Sequence, residues 1–284
     1  MPHAAHTPAD GCVCARREGA RTQYPVRAGA MLRYLLRSKR SDEARAAHIS
    51  RPIYAIGDIH GRADLLKILL EKIHKDITES DFEAAQPAIV FLGDYIDRGP
   101  SSHDVIDTIL RLEDSGREIH PLKGNHEEAL LQFLADPISG PAWFMHGGLA
   151  TLQSYKIKVP DPSEGEAGLE RARLALIAAM GQRHLAFFQG LRSSFVQDDY
   201  AFVHAGIRWG TPFVEQDETD LLWIRQDFLS TEGKAEYVIV HGHTPADSVY
   251  IGPQRIGVDT GAYASGVLSS LKLWKASQSV LQSR

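Results

Sequence analysis

Short apolar runs in this chain are followed again and again by a glycine and then by side chains able to bind or move charge. Ile56-Gly57-Asp58-Ile59-His60-Gly61, Leu92-Gly93-Asp94-Tyr95-Ile96-Asp97-Arg98-Gly99 and Lys123-Gly124-Asn125-His126-Glu127 are three such places. Val203-His204-Ala205-Gly206 and Val240-His241-Gly242-His243-Thr244-Pro245 are two more, with histidine directly after the apolar run. Carboxylate, amide and imidazole donors together suit divalent Mn, Fe, Zn or Co better than calcium, which takes oxygen alone. A single loop of this kind carries little information. Five in one chain do, because buried Asp, Asn and His require partners.

The elements that must position these residues alternate in the first half. Ile53-Tyr54-Ala55-Ile56 reads as a buried strand, 62–77 as a helix with Leu65, Leu66, Leu69, Leu70 and Ile73 on one face, and 88–92 as a second strand. Ser101 and Ser102 can cap a helix carrying Val105, Ile106, Ile109 and Leu110, and 118–122 reads as a third strand. This β-α-β-α-β order predicts a parallel sheet with crossover helices. Ligands bind just beyond the carboxyl ends of such strands, so the first three loops should converge. The glycines are expected to let the backbone turn sharply off each strand. A helix at 126–135, a Pro/Gly-broken stretch at 137–148 and a long helical pattern near 166–190 come next. The second half predicts a hairpin (194–197 and 200–203), a helix over 217–229, and strands at 236–241, 247–251, 255–259 and 266–274. The fold class expected is α/β, with two mixed sheets packed as a central sandwich flanked by helices. It forms one domain over 51–275, with 1–50 an extension outside it and 276–284 a tail.

Of the 284 residues, 43% are hydrophobic and 24% charged, a globular balance rather than a disordered one. The first 50 residues hold nine Lys or Arg against four Asp or Glu, leaving 22 against 32 for the rest. An acidic body argues against a nucleic-acid groove, and no apolar run is long enough to predict a membrane span, so a cytosolic protein is expected. Cys12 and Cys14 are the only cysteines and cannot build a disulfide framework or a four-ligand zinc site alone.

Gly-Asp-Ile-His-Gly at 57–61, Gly-Asp-Tyr-Ile-Asp-Arg-Gly at 93–99 and Gly-Asn-His-Glu at 124–127 resemble the three signature blocks of the metal-dependent serine/threonine protein phosphatases, above all the bacterial and phage members. The resemblance runs from about residue 53 to 274. It implies two divalent ions, Mn foremost: Asp58, His60 and Asp94 would hold one, and Asp94, Asn125, His204 and His243 the other. The implied reaction is in-line attack on phosphorus by a hydroxide shared between the ions. His126 would protonate the leaving alkoxide, Asp97 would orient His126, and Arg98 and Arg225 would grip the phosphoryl oxygens. Where many relatives have His-Gly-Gly this chain has His204-Ala205-Gly206. A decoy, His146-Gly147-Gly148, lies upstream, but the apolar strand before His204 favours the latter. His241 and His243 share one side of a strand, and the family's Gly-His-Thr pattern selects His243. Asp259 suits either a hydrogen bond to a ligand histidine or a turn, and Tyr95 either the cleft or the core. Glu127 and Glu128 read as helix-dipole partners. His74, His103, His120 and His184 read as ordinary surface or core residues.

The function expected is therefore a dinuclear-metal phosphomonoesterase acting on phosphoserine and phosphothreonine, with phosphotyrosine a further candidate, and with phosphoproteins or phosphopeptides as partners. A dinucleoside tetraphosphate hydrolase is the alternative. Those enzymes typically lack the second Asp of the middle block and end the third with Asn-His-Asp, whereas Asp97 and Glu127 are present here. A catalytically dead phosphoprotein-binding scaffold predicts losses among the ligand residues, and none is missing.

Overall fold

A computed structural model of the protein describes residues 47–231 and 233–284; Cys12, Cys14 and most of the expected extension lie outside the described residues. Among the described residues, ten strands form two five-stranded sheets, ordered β10-β9-β1-β2-β3 and β4-β5-β6-β8-β7. In the first sheet β1 (Ile49–Ile56), β2 (Ala88–Phe91) and β3 (Ile119–Pro121) run parallel, joined by α1 (Ala63–Glu79) and α2 (Ser102–Asp114). In the second, the β4 (Ser194–Gln197) and β5 (Tyr200–Val203) hairpin is followed by β6 (Val238–His241), β7 (Tyr250–Ile251) and β8 (Arg255–Gly257), with β5, β6 and β8 parallel. The chain then returns to the first sheet through β9 (Ser269–Lys275), antiparallel to β1, and β10 (Ser277–Gln282).

The sheets face each other across Ile53, Ala55, Val90 and Leu92 on one side and Tyr200, Phe202, Val240 and Ile256 on the other, all fully buried. The opposite face of the first sheet, Tyr54, Ile56, Ile89 and Phe91, is covered by the helices. Burial on both faces is why β1 and β2 read as unbroken apolar runs rather than alternating ones. This is the expected sandwich of two mixed sheets. Register decides where the loops emerge: Ile56 pairs with Phe91 and Phe91 with Pro121, while Phe202 pairs with Val240 and Val240 with Ile256. The parallel strands of each sheet thus end level, and their loops leave from one edge.

Several expectations are corrected. β1 begins at Ile49, before Pro52, whose missing N–H coincides with an irregularity in the pairing with β9. Residues 277–282 are an edge strand rather than a tail: Ser-Gln-Ser-Val-Leu-Gln has too few apolar residues to signal one, and backbone pairing to β9 holds it. The helix expected at 126–135 is present as α3 (Asn125–Ala135), whereas the broken stretch becomes a 3-10 turn (Pro137–Ser139), α4 (Gly140–Trp143) and a π turn (Phe144–Gly148) that runs into α5 (Leu149–Ser154). α6 (Gly165–Gly190) is interrupted at Gly181, whose φ of 60° suits glycine. The helix expected at 217–229 is two short ones, α7 (Glu218–Trp223) and α8 (Gln226–Leu229), broken by non-helical backbone at Arg225, with φ −131° and ψ −92°. The short α9 (Ala262–Ser265) lies between two left-handed glycines.

Because β10 covers the β9 edge and Ser283 Oγ accepts from the Leu268 N–H at 2.9 Å, truncation after Lys275 should lower unfolding stability by about 2–4 kcal/mol. Urea titration reads this, and an unchanged midpoint would show the strand to be dispensable.

Candidate active site

The loops after β1, β2, β3, β5 and β6 meet at one buried cluster. Asp94 is its centre: Oδ2 lies 3.5 Å from His60 Nε2, and Oδ1 lies 3.5 Å from His204 Nε2. Each oxygen of one carboxylate thus faces a different imidazole. His60 Nδ1 donates to the Ile96 carbonyl at 2.9 Å and His204 Nδ1 to the Leu92 carbonyl at 2.8 Å, which leaves both Nε2 atoms as lone pairs pointing inward. His204 Nε2 is met by Asn125 Oδ1 at 2.9 Å and His243 Nδ1 at 3.1 Å. Asp58 accepts from the His243 N–H at 3.0 and 3.1 Å and shares a hydrogen bond with Asp259.

Electrostatics keeps the imidazoles neutral. Burial pushes His60 down to about 3 and His243 to about 2, and lowers His204 as well. Burial alone would raise Asp94, but the surrounding histidines, His204 foremost, hold it well below the usual carboxylate range. Burial, with Asp259 and Asp94 nearby, drives Asp58 far above that range, and burial raises Asp259 to about 6. Neutral imidazoles with converging lone pairs and abutting carboxylates are a donor set that lacks only positive charge. The residues present therefore fit divalent cations, with Asp94 standing between a group that includes His60 and one formed by His204, His243 and Asn125.

Beside this cluster stands a second unit. His126 Nδ1 donates to Asp97 Oδ2 at 2.7 Å, and its Nε2 accepts from Arg98 Nη2 at 3.0 Å. Asp97 is fully buried and also accepts from Trp143 Nε1 at 2.8 Å and the Thr151 hydroxyl at 2.6 Å. Thr151 Oγ1 in turn accepts the Asp97 N–H at 2.9 Å. Burial alone would lower His126, but the charge of Asp94 and the hydrogen bond to Asp97 raise it above the ordinary imidazole value. Arg98 and Arg225 are exposed. Arg98 lies over the Tyr263 ring at 4.8 Å, and Arg225 reaches toward Thr244, beside His243.

The structure thus brings together Asp58, His60, Asp94, Asn125, His204, His243, His126 and Asp97, with both arginines at the rim. His146 is exposed in the π turn, whose Gly147 carbonyl accepts the Arg98 N–H at 3.3 Å, and belongs to neither donor group. His241 packs against Phe228 in the core, Tyr95 is buried with its hydroxyl on the Leu122 carbonyl at 2.6 Å, and Asp259 holds the Gly261 N–H while touching Asp58 rather than a histidine. Trp143 and Thr151 had no signal in the spacing, since they come from in and beside the segment that reads as broken. Tyr263 had none either, lying in a short connection between strands.

Two local devices hold the loops. Glu127 is no mere dipole partner: Oε2 accepts the Asp94 and Gly124 N–H groups and Oε1 that of Tyr95, each at 2.9 Å, tying the second loop to the third. Burial and nearby Asp94 push its carboxyl up to about 8, against which these donors favour the charged form. The second device is backbone strain, carried by the site residues themselves. His60, Asp94, Asp97, Arg98 and His243 have φ between 46° and 71°. Such strain persists only where the surroundings over-determine it. Of the three glycines, only Gly93, at φ 101°, serves the expected conformational role; a Cβ on Gly124 would lie 2.2 Å from Asp94 Oδ1, so that glycine is there for space.

The profile of the calcineurin-like phosphoesterases matches residues 51–265. The chain belongs to that family. Membership makes it a metallophosphoesterase, a hydrolase of phosphoesters that works with divalent metal. Among its relatives is the bis(5'-nucleosyl)-tetraphosphatase PrpE [asymmetrical] of Halalkalibacterium halodurans, 27% identical over 233 residues (76% of this chain, 88% of that one). Another is serine/threonine-protein phosphatase 2 of Escherichia coli, 28% identical over 236 residues (80% and 95%). The fold is shared with a cold-active protein tyrosine phosphatase (TM-score 0.50, 17% identity, 86% of this chain and 83% of that one). A candidate diadenosine tetraphosphatase shares it too (TM-score 0.53, 18% identity, 83% and 95%).

Two substitutions test these supports. Glu127→Ala strands the N–H groups of Asp94, Tyr95 and Gly124 and should lower stability by about 3–5 kcal/mol in urea unfolding. Thr151→Val preserves shape but removes a donor from Asp97, and should reduce turnover of an alkyl phosphate about tenfold at unchanged metal content. Equal rates would separate Thr151 from the chemistry.

Proposed function

We propose that this metallophosphoesterase hydrolyses phosphomonoesters of serine and threonine side chains. The observation that carries the reading is the His126–Asp97 pair. A serine or threonine alkoxide is a strong base and leaves poorly without a proton, so a buried, carboxylate-supported histidine at the edge of the cluster answers that need. Departure of a nucleotide from a dinucleoside tetraphosphate makes no such demand, because its phosphate is already a weak base.

In this reading Asp58, His60 and Asp94 would hold one divalent ion, and Asp94, Asn125, His204 and His243 a second, Mn being the first candidate. Bound there, the ions would supply Lewis-acid stabilisation of the phosphoryl oxygens and a more acidic water. The chain's residues do the rest. Arg98 and Arg225 flank the cluster and would clasp non-bridging oxygens with their planar guanidinium forks. Arg98 donates to His126 Nε2. Drawing that guanidinium onto a phosphoryl oxygen uncovers Nε2, which can then carry the proton to the leaving oxygen. Asp97 holds Nδ1–H and favours the protonated ring. Trp143 and Thr151 fix Asp97 in turn, which holds the orientation of the His126 ring.

A second reading has its own support. Tyr263, 41% exposed, sits edge-on to His60 and under Arg98, and Trp223, 39% exposed, hydrogen-bonds Glu128 two residues from Arg225. Such aromatic surfaces at the rim could stack a nucleobase, in line with the relatives named as tetraphosphatases. One preparation loaded with Mn decides between the two. A higher kcat/KM on phosphoserine peptides than on diadenosine tetraphosphate is expected, and the reverse order would overturn the reading. His126→Asn should keep its metal while losing about 10²–10⁴-fold on phosphoserine and far less on p-nitrophenyl phosphate, whose leaving group needs no proton. Equal losses on both would remove His126 from the proton-donor role.

A further inference from the structure

A second cluster of metal-type donors lies on the helical layer, sharing no residue with the strand-end site. His103 and Asp107 are one turn apart on α2 and so face the same way. His184, on α6, packs against them: its Nε2 is 3.0 Å from Asp107 Oδ1, while His103 Nδ1 is 3.9 Å from Asp107 Oδ2. The two imidazole centroids are 5.1 Å apart, and one ligating atom from each residue lies within 4.8 Å of the others. Tyr155, just beyond α5, places its hydroxyl 2.7 Å from His184 Nδ1.

A satisfied Asp–His hydrogen bond would account for Asp107 and His184 alone. It does not account for the second imidazole packed beside the first, whose Nδ1 hydrogen-bonds Asp104 Oδ1 at 3.2 Å and lies 3.9 Å from the other oxygen of the Asp107 carboxylate. We propose that His103, Asp107 and His184 form a binding site for a zinc-class divalent ion that staples α2 to α6. Two nitrogens and one carboxylate oxygen suit Zn or Co and do not suit Mg or Ca. Zinc bonds to such ligands are about 2.0–2.2 Å long, so the donors need shifts of about an ångström to close on one ion. The Tyr155 oxygen orients the His184 ring, as ligand histidines require of their second nitrogen. When Nε2 takes the ion, the ring proton resides on Nδ1 and Tyr155 accepts it. The way in is open, since the His103 and Asp107 side chains are 39% and 38% exposed, while His184 is buried. Water would complete the coordination. Asp104, 3.2 Å from His103 Nδ1, and Arg111, 4.0 Å from Asp107, are the groups that compete for the donors in the free state.

The staple would brace the support of the Asp97–His126 pair. His103 N–H donates to Ser154 Oγ at 2.8 Å, and the neighbouring Ser102 hydroxyl lies 3.1 Å from Thr151 Oγ1 and 3.2 Å from the Asp97 nitrogen. Fixing α2 therefore fixes the shelf on which Asp97 rests. The proposed site does not depend on which phosphoester the enzyme hydrolyses.

Zinc uptake by the full chain tests it, measured by elemental analysis after gel filtration together with thermal unfolding. His103→Asn and Asp107→Asn change partly exposed side chains and should fold. Each is expected to bind one zinc fewer per chain than the wild type. At zinc 100-fold above its Kd for this site, each should also lack about 5–10 °C of the wild-type rise in Tm. Without zinc, His103→Asn should match the wild type in Mn-dependent turnover of p-nitrophenyl phosphate. Equal zinc content and equal Tm rise in all three proteins would overturn the site.

Discussion

Asp94 is buried with imidazole lone pairs on either side, and Asp58 and Asp259 share a hydrogen bond nearby. Groups of this kind, left to themselves, would move apart or take up water and protons, because burying unpaired charge and unsatisfied acceptors is expensive. The surrounding structure answers that tendency. Level strand ends in each sheet deliver the loops to one edge. Glu127 gathers N–H groups from two loops, and backbone in the left-handed region at His60, Asp94 and His243 turns the donors inward. Strain in each loop is tolerable because its neighbours leave no room for relaxation, as the close approach of Gly124 to Asp94 shows.

Chemistry and selectivity are built from different parts of the chain. The donors come from strand ends, where a sheet holds position tightly. The support of the His126–Asp97 pair comes from α4 and α5, which lend Trp143 and Thr151 to Asp97. The rim, with Tyr263, Trp223 and two arginines, is exposed. Relatives named for two different substrate classes are similar to this chain at nearly equal identity, 27% and 28%. One phosphoester-hydrolysing fold can host different substrates, because specificity resides in the site rather than in the fold. The helical layer behind the pair adds a further level, because α2 carries both Ser102, which touches the Asp97 backbone, and the His103–Asp107 face turned toward α6.

Much of this was legible in the linear chain. Apolar runs of four or five residues ending in Gly-Asp or Gly-Asn announced buried parallel strands and the side from which the loops leave, because burial on both faces erases alternation and the strand end is where polarity returns. The donor types announced divalent cations. The weaker elements escaped for physical reasons: β10 is held by backbone pairing that any sequence can make, and the helix across 217–229 has a suitable pattern but is broken at Arg225.

What the sequence determined by itself, then, was the class of chemistry and the two-sheet scaffold, since both rest on local rules of residue type and period. Tertiary structure alone decided the rest. It placed β9 and β10 back on the first sheet, exchanged a helix-dipole role for the Glu127 clamp, and chose Asp58 rather than a histidine as the neighbour of Asp259. It also brought Trp143 and Thr151 to Asp97, and His184 to His103. These are contacts between residues far apart along the chain, on segments with no periodic signature, and only the packing of sheets and helices in three dimensions specifies which side chain meets which.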